Sequence, residues 1–119
     1  MSRLLVALAV VAVATAMPAS ASLAKAPKLT GTVGPGYTIT LARGGKKVTK
    51  LKAGTYTFVI HDKSSSHSYG LDGPNGFEKD FTGVSFKGTK TFTVKLKAGK
   101  YKYYCSAHES TMYHNFTVS

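Results

Sequence analysis

The chain has little of what small domains and enzymes commonly rely on. It has one cysteine, Cys105, so no disulfide can close within it. That thiol is left as an intermolecular bridge, a reactive group, an inert buried residue or a metal ligand. Five residues are acidic, Asp62, Asp72, Glu78, Asp80 and Glu109, and none are spaced as an acid/base pair. No Ser/His/Asp arrangement occurs, and the chain is not expected to be an enzyme. Arginine is almost missing, with Arg3 and Arg43 the only two among 16 basic residues. Bidentate reading of bases and phosphates favours arginine, so nucleic acid is not an expected partner.

The one long apolar run lies at the start. Arg3 precedes Leu4 to Met17, and the small residues Pro18 to Ser22 follow, the layout of a secretory signal peptide. A run of that length is too short to span a bilayer. Ala19-Ser20-Ala21 satisfies the small-x-small cleavage rule, so residues 1–21 are read as the leader, with cleavage as late as residue 24 also compatible. Residues 22–119 form the single mature domain, with no transmembrane segment. Loss of Arg3 leaves 15 Lys and Arg against 5 Asp and Glu, a net charge of +10. Such a domain is suited to fast encounter with an acidic protein or an anionic surface, although plain solubility demands no less.

From Leu29 onward, apolar residues recur with period two in short runs separated by glycine-containing turns, which predicts an all-β domain. Tyr37, Ile39 and Leu41 alternate with Thr38 and Thr40. Gly44-Gly45 then marks a turn into Lys46 to Leu51. Tyr56, Phe58 and Ile60 share one face, as do Phe92, Val94 and Leu96, and both faces are expected to point inward. Leu71 to Gly88, with Gly73, Pro74, Gly76 and Gly83, reads as a long irregular connection. Tyr101, Tyr103 and Cys105 share a strand face, and Phe116 and Val118 close the domain. Seven to eight strands in under 100 residues predict a two-sheet β-sandwich. Leu51-Lys52-Ala53-Gly54-Thr55-Tyr56 recurs as Leu96-Lys97-Ala98-Gly99-Lys100-Tyr101. Each copy suits a corner in which the tyrosine hydroxyl returns to the backbone.

The segment Cys105-Ser106-Ala107-His108-Glu109-Ser110-Thr111-Met112 places a thiol, an imidazole and a thioether within eight residues at a strand end. His67, after the Lys63 to Ser66 turn, can approach from a neighbouring corner. His61 competes for that place, but it follows Val59 on the strand face opposite Phe58 and Ile60, which favours His67. Two imidazoles, a thiolate and a weak thioether suit copper in both of its common oxidation states. Zinc prefers a closed set of cysteines and histidines and rarely takes methionine. His114, on the last strand, is expected to be solvated. Asn115-Phe116-Thr117 is formally a glycosylation acceptor but lies within a predicted strand.

With these motifs, the chain from about Leu29 to Ser119 resembles the cupredoxins, the small blue copper proteins. The resemblance rests on Gly-x-Tyr-x-Tyr-Tyr-Cys from Gly99 to Cys105, on Cys105-x-x-His108-x-x-x-Met112, on the closing Phe-Thr-Val strand and on the earlier His67. It implies a Greek-key β-sandwich holding one copper ion, with His67, Cys105, His108 and Met112 as the metal ligands. It also implies a secreted or periplasmic one-electron carrier working between redox partners. Two departures stand out. Ser68 follows the first histidine where asparagine is frequent, and Tyr113-His114 replaces a glycine commonly found after the methionine. The implied electron exit is the outer edge of His108, framed by Ala107, Met112 and Tyr113. A monomer and a redox partner with an acidic docking surface are expected. Two other readings are a periplasmic copper carrier that donates the ion itself and a metal-free extracellular binding module in which Cys105 is merely buried.

Overall fold

The computed structural model describes residues 25–119. The expected signal peptide, residues 1–21 with cleavage as late as 24, lies outside the described residues. Among these residues are ten strands: β1 (Lys28–Val33), β2 (Ile39–Arg43), β3 (Lys46–Lys47), β4 (Lys50–Leu51), β5 (Gly54–Asp62), β6 (Tyr69–Asp72), β7 (Glu78–Thr82), β8 (Gly88–Leu96), β9 (Gly99–Tyr104) and β10 (Tyr113–Val118). Two of them, β3 and β4, are two residues long; the longer strands agree with the seven to eight expected. No helix of the described residues is long and apolar enough to cross a membrane.

The strands form two five-stranded sheets, ordered β3-β2-β1-β5-β8 and β4-β10-β9-β6-β7. Both are mixed, with β1 parallel to β5 and β4 parallel to β10. Chain order therefore crosses repeatedly between the layers, as in the β-sandwich expected. The predicted strand from Lys46 to Leu51 splits at Val48-Thr49: its first half pairs with β2 and its second with β10. This short segment crosses from one sheet to the other along one side of the sandwich.

Alternation explains the core. On β5, Tyr56, Phe58 and Ile60 point inward and are buried, while Thr57, Val59 and His61 face out. Leu29 and Val33 of β1, Leu71 of β6, Tyr103 of β9 and Phe116 of β10 meet them. Phe92 is only half-buried at the rim, with Lys79 Nζ 4.9 Å from its ring centre. Tyr69 ties the layers together: it is fully buried on β6 and donates its hydroxyl hydrogen to Thr40 O on β2 at 2.7 Å. Burial, and then the neighbouring Tyr103, hold its pKa well above the ordinary tyrosine value. Gly31 allows this packing, because a Cβ there would lie 2.6 Å from Ile60 Cδ1 and 2.8 Å from Tyr69 Cζ.

Two expectations are corrected. Leu71 to Gly88 is irregular only in part: β6 and β7 form a hairpin around the turn Pro74–Gly76, with a register shift between Tyr69 and Gly70, while Gly83 to Lys87 has no strand. The strand β7, Glu-Lys-Asp-Phe-Thr, lies at a sheet edge, where its charges reach solvent and hide the apolar alternation. Tyr37, expected to alternate with Ile39 and Leu41 along a strand, sits before β2 in the Gly34-Pro35-Gly36 loop and is 71% exposed. The positive φ angles of Gly34 (68°) and Gly36 (78°) turn the chain too sharply there for a strand.

Both repeat copies make tyrosine corners. Tyr56 donates to Lys52 O at 2.7 Å, while Tyr101 donates to Lys97 O at 2.8 Å and accepts from Lys97 N at 3.0 Å. Losing one hydrogen bond costs about 1 kcal/mol, and leaving a backbone group without a partner adds to that. Tyr101→Phe is therefore expected to lower unfolding free energy by about 1–2 kcal/mol, and Tyr56→Phe by less, in parallel urea titrations. Equal losses would show that the second bond at Tyr101 contributes nothing.

Candidate metal centre

Four strands deliver the site to one end of the sandwich. β5 runs from Gly54 to Asp62, and there Asp62 Oδ1 accepts the Ser64 N–H at 3.1 Å, shaping the serine turn that returns the chain to His67. β6 starts just after Ser68 and pairs with β9, setting Gly70 opposite Tyr104. That register brings Ser68 alongside Cys105, the first residue beyond β9. β10 then leaves from Tyr113, directly after Met112, and pairs back onto β9.

The Cys105–Met112 loop is closed on itself by backbone bonds. Cys105 N donates to Met112 O at 3.0 Å, and Met112 N to His108 O at 2.8 Å. His108 N donates to Cys105 O at 3.1 Å within a short 3-10 turn over Ser106–His108. Four sequence-predicted residues thereby collect at one end. The donor atoms of His67, Cys105 and His108 all lie within 4.8 Å of one another. Cys105 Sγ stands 3.8 Å from His67 Nδ1 and 3.7 Å from His108 Nδ1. Cys105 and Met112 are buried, His67 is 5% exposed and His108 is half-buried. No carboxylate joins this group among the described residues.

Ser68, a departure from the expected pattern, carries much of the support. Its N–H donates to Cys105 Sγ at 3.3 Å. Its Oγ accepts the Ser106 N–H at 2.8 Å and lies 2.7 Å from Ser106 Oγ. One serine thus binds the two loops on both sides of the sulfur. A hydrogen bond donated to sulfur fixes its direction.

The other histidines fall elsewhere. His61 is on the outer face of β5, with Nδ1 3.0 Å from Thr89 Oγ1, and takes no part in the cluster. His114, expected to be solvated, packs its ring 5.6 Å from that of Tyr103, with Nδ1 3.3 Å from Lys47 Nζ. Partial burial, and then the Lys47 charge, lower its pKa. Met112 is 1% exposed, so it does not frame the surface around His108 as expected. Tyr37 holds that place: its ring lies edge-on to His108 (centres 4.9 Å apart) and to His67 (5.3 Å). Reading Tyr37 as part of a strand concealed this, although the Gly34-Pro35-Gly36 turn beside it was the available signal.

Arg43, Lys46, Lys47, Lys50 and Lys52 line a basic groove of about 730 Å³ near the start of β5, and Lys47 reaches from it to His114.

Comparison with solved structures agrees with this architecture. The copper protein rusticyanin matches with a TM-score of 0.57 at 19% identity, over 77% of this chain and 76% of that one. Reduced rusticyanin gives 0.56 at 20%, over 77% and 78%. An oxidised amicyanin variant gives 0.52 at 12%, over 76% and 81%. The domain therefore has the cupredoxin fold. His67, Cys105, His108 and Met112 form a cluster arranged like a type 1 copper site. No protein-family model matches the chain, and no curated protein matches it.

Replacing Ser68 by alanine would strip Ser106 N–H of its acceptor in a part-buried place. Ser68→Ala is expected to cost about 1–3 kcal/mol of stability in denaturant titration. A variant as stable as the parent would show that the serine clamp is dispensable.

Proposed function

We propose that this protein is a one-electron carrier built on a type 1 copper site, with His67, Cys105, His108 and Met112 as its ligands. The observation that carries the reading is the convergence of one buried cysteine sulfur and two imidazole Nδ1 atoms, with a buried methionine on the same closed loop. The donor set fits copper: sulfur suits the cuprous ion, imidazole suits both oxidation states, and a thioether is a poor zinc ligand. Copper, when bound, supplies a one-electron couple.

The protein's part is to hold the ligands still. Cys105 and Met112 are locked by the bond between their own backbones, and His67 comes from the separately anchored turn after β5. Ser68 joins the two pieces. Ligands fixed from two directions move little when the charge of the site changes, which keeps the barrier to electron transfer low. His108 is half-buried beside exposed Ala107, so its ring edge serves as the electron exit. A protein partner with an acidic docking surface is steered by the net positive charge of the domain. The carrier acts as a monomer after export, in the periplasm or at the cell surface.

Titrating the purified apoprotein with Cu(II) tests this. An intense blue or green absorption that saturates at one ion per chain is expected. Cys105→Ser and His67→Ala should abolish it, while His61→Ala should keep it. A colourless parent overturns the copper reading. A colour lost in His61→Ala and kept in His67→Ala overturns the ligand assignment.

A further inference from the structure

We propose that Tyr37 is a lid over the two imidazoles, a positioning residue that keeps His67 and His108 turned toward Cys105 and so makes the site retain its ion. This inference rests on the copper reading above. Tyr37 is the most exposed of the large apolar side chains among the described residues, at 71%. Despite that exposure, its ring meets both histidines edge-on, with interplanar angles of 61° to His67 and 87° to His108. The histidine rings themselves lie 5.0 Å apart at 71°, so the three rings form one mutually T-shaped group. This is the favourable arrangement for aromatic quadrupoles.

The loop that carries Tyr37 is built to present it. Gly34 N donates to Thr38 O at 2.9 Å, closing the turn, and Thr38 Oγ1 donates to Pro35 O at 3.3 Å. Lys63 N donates to Val33 O at 2.9 Å, tying the start of this loop to the turn that precedes His67. A Cβ on Gly34 would lie 2.9 Å from Ser64 Cβ and 3.6 Å from His67 Cδ2, so the loop is pressed against the His67 turn. Tyr37 is thus anchored to the frame that holds His67, while it covers a histidine from the other ligand loop.

Release of an ion from this cluster requires an imidazole to swing away from the sulfur, and His108, half-buried, is the freer of the two. With Tyr37 in place, either ring must first lose its edge contact. The lid thereby favours a carrier of electrons over a donor of copper, without blocking the outer edge of His108 completely. Loss of two aromatic contacts corresponds to an acceleration of release of about ten- to a hundredfold.

The test loads the protein with cuprous ion and follows its transfer to excess bicinchoninate in the parent, Tyr37→Phe, Tyr37→Ala and Tyr113→Ala. Tyr113, exposed beside Met112, is the control for general loosening. Tyr37→Ala should release the ion about ten- to a hundredfold faster, with Tyr37→Phe and Tyr113→Ala within about twofold of the parent. A second readout needs no metal. In the apoprotein, NMR relaxation should find the His67 and His108 rings ordered in the parent and Tyr37→Phe, and mobile in Tyr37→Ala. Release at the parent rate from Tyr37→Ala, equal acceleration in Tyr113→Ala, or rings equally ordered in all variants overturns the lid. A parent that binds no cuprous ion overturns the copper reading instead, and the ring measurement then still decides whether Tyr37 orders the histidines.

Discussion

The contact between Ser68 and Cys105 is the constraint around which the site is organised. The sulfur sits at the end of β9, and the residue that supports it sits just before β6, so the contact exists only because these strands pair in one register. A slip by one residue would turn Ser68 and Tyr69 to the opposite faces of the sheet. The core forbids this slip, because Tyr69 is fully buried and reaches across to Thr40 on the other sheet. Packing of one tyrosine thus fixes the position of a serine, and the serine fixes a sulfur.

This division of labour accounts for the mixture of rigid and exposed groups at the metal end. The deep members, Cys105, Met112 and His67, are held by backbone bonds and buried contacts. The shallow members, His108 and Tyr37, meet edge-on in addition to the backbone bonds that shape their loops. A buried polar network of this kind is favourable only when its members find partners, and Ser68 and Ser106 satisfy each other there. The basic groove lined by Arg43, Lys46, Lys47, Lys50 and Lys52 reaches His114 through Lys47, and its charge adds to the positive field of the whole domain.

Much of the site was legible in the sequence because three of its four residues share one loop, where spacing alone brings them together. The choice of His67 over His61 was legible too, since the alternation of Phe58 and Ile60 placed His61 on the outer face of β5. Ser68 could be noticed only as a departure, since its partner Ser106 lies 38 residues away and nothing local announces the pair. Tyr37 was hidden by its own periodicity, which continues the pattern of Ile39 and Leu41 while the glycines before it break the strand. β7 was obscured because edge strands carry charges on positions that would otherwise alternate.

The burial of Cys105 has a practical side. With no second cysteine in the chain and no exposure of the first, the folded domain offers nothing to an alkylating dye. Labelling proceeds only when the end of β9 parts from its neighbours, so its rate measures how often that happens. The chain carries its own built-in probe of local opening, free of any engineered tag.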